Sequence, residues 1–373
     1  MHILIMSGQS SVVQNATALA TGCHAAKQGL RVLVVGTGPI GTLSALAGEE
    51  LSYRPTELSP NLHAMELVTL EEFNQRWEML CNDPKFGLSA RLRDVQKDEI
   101  PSFPGMDEIA SLIVADRAGA SGKFDLVIFG GTTIDGLLRG FTMRETIRWL
   151  TRLVCGLSRG PGNSRASQED ALMPMSIINA LGSTALMQDI RVALERYSLW
   201  FDSRIGTRVR LILPPEEMNM AYIRHVLNGF GLYHMEVDNI MVRGDVSQVS
   251  EDVQHAVGSL LMPSSIETSP VSIDEWAERG AALYQREQGL GLPPKSEQKI
   301  DIPPQAFEQS EVKLHIPLID SKELDIGIAS GEIVVRIGQF RRHLLISGIE
   351  EGGRLRAKVD GDILRLWVDT EAQ

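Results

Sequence analysis

The chain has 373 residues, 43% of them apolar, and a formal net charge of −12. Such a length supports a sizeable core and more than one domain, while the acidic balance opposes nonspecific attraction to nucleic acid or anionic lipid and favours a protein or small-molecule partner. Cys23, Cys81 and Cys155 lie far apart with no C-x-x-C pair, which excludes a disulfide framework and argues against a cysteine zinc site.

The opening Met-His-Ile-Leu-Ile-Met has no basic leader or cleavage pattern, and no internal run of 18 uncharged apolar residues follows. A cytoplasmic protein without an integral membrane segment is expected. His2 to Met6 predicts a buried strand, Val12 to Gln28 an Ala-rich helix and Arg31 to Val35 a second strand. Further strands are predicted at Leu62 to Leu67, Phe124 to Phe129, Val209 to Leu213 and Asn239 to Val242. Helices are predicted at Leu70 to Cys81, Thr142 to Leu157, Met175 to Ser198 and Pro215 to Phe230. Pro215 followed by Glu216 and Glu217 suits a helix start, since proline tolerates the first turn and carboxylates complement the dipole. Short apolar strands alternating with helices imply an α/β fold, a mostly parallel sheet covered on both faces.

Gly, Pro, Ser and Asn dominate Arg159 to Asp170, which predicts an exposed loop. Prolines interrupt the polar stretch from Gln288 to Gln309 and mark a boundary. The chain therefore divides into an α/β domain over 1–288, a linker over 289–310 and a small all-β sandwich over 311–373. In the last, alternating strands are predicted at Val312 to Ile316, Glu323 to Ser330, Glu332 to Ile337, Arg341 to Ile346, Gly353 to Asp360 and Ile363 to Val368. Arg341 and Arg342 are read as a solvated edge that discourages strand-to-strand aggregation.

Strand, glycine turn and helix at the N-terminus form the setting of a phosphate-binding loop, whose helix-start amides favour an anion. Laid against G-x-x-x-x-G-K-[ST], however, only the first glycine survives in Gly8-Gln9-Ser10-Ser11-Val12-Val13-Gln14-Asn15-Ala16. A second glycine loop, Gly36-Thr37-Gly38-Pro39-Ile40-Gly41, fits the dinucleotide fingerprint G-x-G-x-x-G. It lacks the required partner, a strand ending in an acidic residue about 20 positions on. Ser52 to Leu58 is polar and broken by Pro55, so Glu57 follows no predicted strand, and Glu66 comes late. The histidines show no metal spacing: His225 and His234 are read as ordinary helix or loop residues and His343 as part of a strand face. No nucleophilic triad is identifiable, and Cys155 is read as core.

The order of these features resembles the family of the arsenite pump and the tail-anchored-protein-targeting ATPases, whose loop reads G-K-G-G-V-G-K-T-T. Gly8 to Ala16 align with that loop without a gap. The resemblance extends through Pro60 to Leu67, Pro104-Gly105-Met106-Asp107-Glu108, Phe124 to Phe129, Leu137-Leu138-Arg139 and Leu211 to Met218, and covers residues 1 to about 285. It implies a P-loop NTPase-like fold, a homodimer, and ATP with Mg²⁺ as cofactors.

Carried over by position, the family's functional groups are replaced. Gln9 stands for the lysine that reaches a partner's phosphates, Gln14 for the phosphate-loop lysine and Asn15 for the Mg²⁺-ligating hydroxyl. Gly38 and Gly130 occupy the two switch aspartate positions, Arg243 the base-reading asparagine and Pro214 the Asn of Asn-Pro-Glu. Val13 replaces a glycine, and a β-branched side chain resists positive φ. Losing one charge-stabilising group in phosphoryl transfer typically costs about 10³-fold in rate, so the combined losses predict no ATPase and no cofactor. The primary expectation is a non-catalytic binding or chaperone-like protein. The alternatives are a residual ATP-binding ATPase and a dinucleotide-binding protein through Gly36, Gly38 and Gly41.

Two further segments bear on partners. In the resembled targeting factors, the region matching Met173, Met175, Ile177 and Ile178 builds a surface for hydrophobic protein clients, and methionine suits adaptable apolar surfaces. Core packing is the plainer reading of the same residues. Val312 to Leu318 and Ile333 to Arg342 are similar to the α-crystallin domain of small heat-shock proteins. That likeness implies a sandwich that either chaperones or packs against the ATPase-like domain.

Overall fold

A computed structural model describes residues 1–83, 93–99, 105–142, 146, 206–285, 311–329, 332–344 and 354–369. The predicted helices at Thr142 to Leu157 and Met175 to Ser198 lie almost wholly outside these residues. So do the loop from Arg159 to Asp170, Cys155, the client surface at Met173, Met175, Ile177 and Ile178, and the linker at 289–310.

The N-terminal apolar run forms β1 (His2–Gly8), which enters the centre of the sheet because Ile3 to Met6 are apolar and buried. α1 (Ser11–Lys27) follows, then β2 (Val32–Gly36), α2 (Thr42–Ala47), β3 (Thr56–Ser59), β4 (Leu62–Glu66) and α3 (Thr69–Asn82). After α4 (Met106–Ser121) comes β5 (Leu126–Thr133), which runs directly into a helical segment at residues 134–142. The domain is completed by β6 (Thr207–Leu213), α5 (Met220–Leu232), β7 (Val237–Arg243), α6 (Glu251–Val257), β8 (Leu261–Ser264) and α7 (Ile273–Gln285).

Among the described residues, eight strands form one sheet in the order β3-β4-β2-β5-β1-β6-β7-β8. All pairs are parallel except β3 with β4. The sheet is therefore the mostly parallel, helix-flanked sheet of a P-loop NTPase-like fold. One face, carrying Leu4, Val32, Val34 and Ile128, packs on α1. The other, carrying Ile5, Val35 and Phe129, packs on α4 and α5. α1 is buried far beyond one stripe because α7 covers its outer side, where Trp276 donates its indole N–H to the Leu46 carbonyl at 2.9 Å.

β9 (Glu311–His315), β10 (Leu324–Ala329), β11 (Glu332–Ile337), β12 (Phe340–Leu344), β13 (Arg354–Asp360) and β14 (Ile363–Asp369) form two antiparallel sheets, β10-β11-β12 and β13-β14-β9. Their inner residues, Leu314, Ile333, Val335 and Leu366 among them, join the same apolar cluster as α5. Phe340 stacks on His225 of α5 with ring centroids 4.6 Å apart, and Asn228 of α5 donates to the Pro317 carbonyl at 2.9 Å.

Four local expectations need correction. Pro215 heads a 3₁₀ turn ending at Glu217, and the helix begins at Met220, because the Asn219 side chain accepts the Tyr222 amide as an N-cap. The strand at Phe124 to Phe129 runs on to Thr133, since Gly130 and Gly131 continue the pairing or bulge instead of ending it. The polar stretch before Leu58 contains β3, a short antiparallel edge strand carrying Glu57. Arg342 is not solvated: it is 8% exposed and donates to the Leu232 carbonyl at 2.5 Å, so it ties β12 to the end of α5.

Candidate functional site

The carboxyl ends of the central strands β1, β2 and β5 meet the start of α1, and most of the candidate residues gather there. β1 ends at Gly8 and α1 starts at Ser11, which leaves only Gln9 and Ser10 between them. Ser11 to Gln14 are wound into the first helical turn, and the Gln14 amide donates to the Ser10 carbonyl at 3.0 Å. A phosphate cradle needs successive amides turned inward around glycines; here Val13 sits in helical backbone with its side chain buried. Gln9 is exposed at the turn.

Gln14 and Asn15 point inward. Gln14 is 1% exposed, and neither its Nε2 nor its Oε1 has a hydrogen-bond partner. Asn15 is fully buried; its Nδ2 donates to the Ser11 carbonyl at 2.9 Å, while its Oδ1 has no partner. Ala16 is buried in the same turn.

The two switch positions close over Asn15. The Thr37 amide donates to the Gly130 carbonyl at 2.7 Å, and the Thr37 hydroxyl reaches the same carbonyl at 3.0 Å. Thr37 and Thr132 share a hydroxyl–hydroxyl bond of 2.7 Å, and Ser7 donates to the Thr132 carbonyl at 3.0 Å. Together these bonds latch the segment after β2 to the end of β5. At Gly130 a Cβ would lie 2.9 Å from Ala18 Cβ and 3.0 Å from Asn15 Oδ1, so the position excludes any side chain. Gly131 is left-handed, with φ of 97°, and a Cβ there would meet the Gly38 amide nitrogen at 2.6 Å. A Cβ at Gly38 would lie 2.8 Å from Ser11 Cβ, so the space next to both switch positions is taken up by α1, chiefly by Ser11, Asn15 and Ala18.

Arg243 stands apart from this cluster. It is exposed at the end of β7, beside a shallow cavity of about 490 Å³ lined also by Val13, Ser264 and Glu267. Pro214 leads into the 3₁₀ turn, and Leu137, Leu138 and Arg139 lie on the helical segment after β5.

The second glycine loop is occupied from within. Glu66, 3% exposed at the end of β4, accepts the Gly41 amide at 2.5 Å, the Ser44 amide at 3.0 Å and the Ser44 hydroxyl at 3.1 Å. Its carboxylate holds the helix-start amides that a pyrophosphate would need. Sequence reading noticed Glu66 only as a late acidic residue and missed Thr37 and Thr132 altogether. The available signal was the recurrence of Gly-Thr at both switch positions, Gly36-Thr37-Gly38 and Gly130-Gly131-Thr132-Thr133. Among the described residues, no group of His, Cys, Asp and Glu could hold a metal ion, and no helix is long and apolar enough to cross a membrane.

The family model for the anion-transporting ATPases matches residues 1–257. A protein of Chlorobaculum tepidum named "Putative arsenical pump-driving ATPase" is 23% identical over 94% of this chain and 93% of its own length. A protein of the same name from Prosthecochloris vibrioformis has the same identity and coverage. One from Aquifex aeolicus, named "Putative arsenical pump-driving ATPase 1", is 23% identical over 99% of this chain and 100% of its own length.

Proposed function

The chain belongs to the anion-transporting ATPase family, and from that premise we propose that it is a non-catalytic member, a protein-binding or chaperone-like pseudo-ATPase. The observation that carries this reading is the latch: Thr37 is bonded to Gly130 and Thr132 directly over the buried Asn15. Switch segments promote hydrolysis by holding charged groups against the phosphates, whereas here the two segments carry no charge at those positions and are bonded to each other.

The residues present do not fit Mg²⁺ with ATP. Magnesium demands near-ideal octahedral geometry at about 2.0–2.1 Å and keeps several waters. The Asn15 Oδ1 atom lies against Gly36 and Gly130 with barely the room for one added carbon on either, and Gln14 brings a neutral amide where a lysine would bring charge. In this reading neither ATP nor Mg²⁺ is a cofactor, and the scaffold is kept for binding. The proposed partners are a second copy of the chain and hydrophobic protein segments in the cytoplasm. The C-terminal sheets, read as an α-crystallin-like sandwich, brace α5 through Phe340 and Arg342.

Equilibrium binding of ATP with and without Mg²⁺ tests the proposal. No saturable binding at micromolar ATP is expected in either condition. Micromolar binding that Mg²⁺ tightens and Asn15→Ala weakens would contradict it.

A further inference from the structure

At the carboxyl end of the central strands, a cavity of about 530 Å³ opens beside the latch, between Gln9 and Ser11, the Thr37–Pro39 segment and the start of α4. Its size falls in the usual range for small-molecule sites, about 300–1,000 Å³. Ile109 and Leu112 of α4, Phe129 of β5, and Leu137 and Phe141 of the following helical segment give it a predominantly apolar wall. One side is polar, made by the Thr132–Thr133 end of β5 and by Asp107 and Glu108 at the start of α4.

The charges lining the cavity are of one sign. Among the described residues, Asp107 and Glu108 face it and no lysine, arginine or histidine does. Asp107 is already engaged, accepting the Thr69 hydroxyl at 2.5 Å. Glu108 has no such side-chain donor among the described residues. It is half-buried where α4 passes close to the helical segment after β5, and a Cβ on Gly140 would lie 2.6 Å from its own Cβ. Burial raises the Glu108 carboxyl above its ordinary range; its own backbone amide pulls it back in part, Asp107 adds to the rise, and Arg139 opposes it least.

We infer that this cavity binds a small organic cation, an apolar body of aryl-alkyl size carrying one protonated amine that pairs with Glu108. The apolar wall removes hydrocarbon from water. The amine supplies the charge-assisted partner that Glu108 lacks among the described residues. An anion of the same shape meets two carboxylates and no cation, and is rejected. The cavity also borders Gln9 and Ser11 of the N-terminal loop and Gly38, but the contacts assigned to the ligand, Glu108 and the apolar wall, lie outside that loop, so the inference does not rest on the loss of ATP chemistry.

Calorimetric titration of the full chain with 3-phenylpropylamine, 3-phenylpropanol and 3-phenylpropionate tests it. The amine is expected to bind at least about tenfold more tightly than the alcohol, which corresponds to about 1.4 kcal/mol, with no binding of the carboxylate. Glu108→Gln should bring the amine down to the level of the alcohol. Leu112→Trp should abolish binding of both by filling the cavity. Because that variant risks misfolding, methyl NMR shifts of Ile109 and Leu137 in the wild-type chain locate the amine independently. Absence of amine binding, equal binding of amine and carboxylate, full amine affinity in Glu108→Gln, or unshifted Ile109 and Leu137 methyls at saturation would each overturn the assignment.

Discussion

Gly130→Asp puts back the residue type that the resembled ATPases carry at the end of this strand, and the latch predicts that the protein will not tolerate it. The first added carbon alone would sit 2.9 Å from Ala18 Cβ, 3.0 Å from Asn15 Oδ1 and 3.1 Å from Asn15 Cα. Two of those three neighbours are not flexible side-chain ends, so the helix must move; such overpacking costs about 1–3 kcal/mol. The carboxylate would then be buried beside an amide oxygen that already lacks a donor. An uncompensated buried charge adds about 3–5 kcal/mol. The sum, about 4–8 kcal/mol, is comparable to the whole stability of a typical domain. Urea unfolding followed by circular dichroism should show Gly130→Ala losing only the packing part, and Gly130→Asp unfolded or close to it without denaturant. A Gly130→Asp protein within about 1 kcal/mol of wild type would refute the closed latch, because the aspartate could then be housed only in an open site.

Replacing the unpartnered amide of Gln14 by methionine keeps the volume and removes the desolvated polar atoms, so Gln14→Met should raise stability by about 1 kcal/mol in the same assay. Gln14→Lys, the apparent restoration of a phosphate-loop lysine, should lower stability instead, since position 14 is 1% exposed and offers no acid. Glu66→Ala leaves the Gly41 and Ser44 amides without their acceptor and should cost about 1–3 kcal/mol by urea titration. Burial pushes the Cys23 thiol up to about 12, so the native chain should resist a thiol reagent at Cys23 at pH 8 and react there fully once unfolded in urea.

The sheet was readable because its central strands announce themselves. Ile3 to Met6 and Val32 to Val35 are unbroken apolar runs and Val209 to Leu213 is interrupted only by Arg210, close to the pattern forced on a strand covered on both faces. Elements whose signal lies elsewhere escaped. β8 is an edge strand of four residues containing Pro263, which is tolerated only because one side has no partner strand. α7 has an apolar face carried largely by Trp276, which a periodicity count weighs no more than any other apolar residue. Pro215 looked like a helix start, yet the Asn219 cap, four residues later, won by satisfying a backbone amide with its side chain.

At the site, the losses were legible and the replacement was not. Gln14, Asn15, Gly38 and Gly130 stand out against the phosphate-loop pattern, since each lacks a specific charge or hydroxyl. The latch that takes their place is made of main-chain groups, two threonine hydroxyls and one serine, and nothing in residue type says that Thr37 faces Thr132 across two strands. Glu66 was invisible for a related reason: its partners are amides supplied by the fold.

The proposed loss of catalysis is tested most directly by phosphate release in a single turnover, with the full chain in molar excess over γ-labelled ATP and Mg²⁺ present throughout. Release indistinguishable from a protein-free control, and unchanged in Asn15→Ala, is the predicted result. Release above that control which disappears in Asn15→Ala or Gln14→Ala would contradict it.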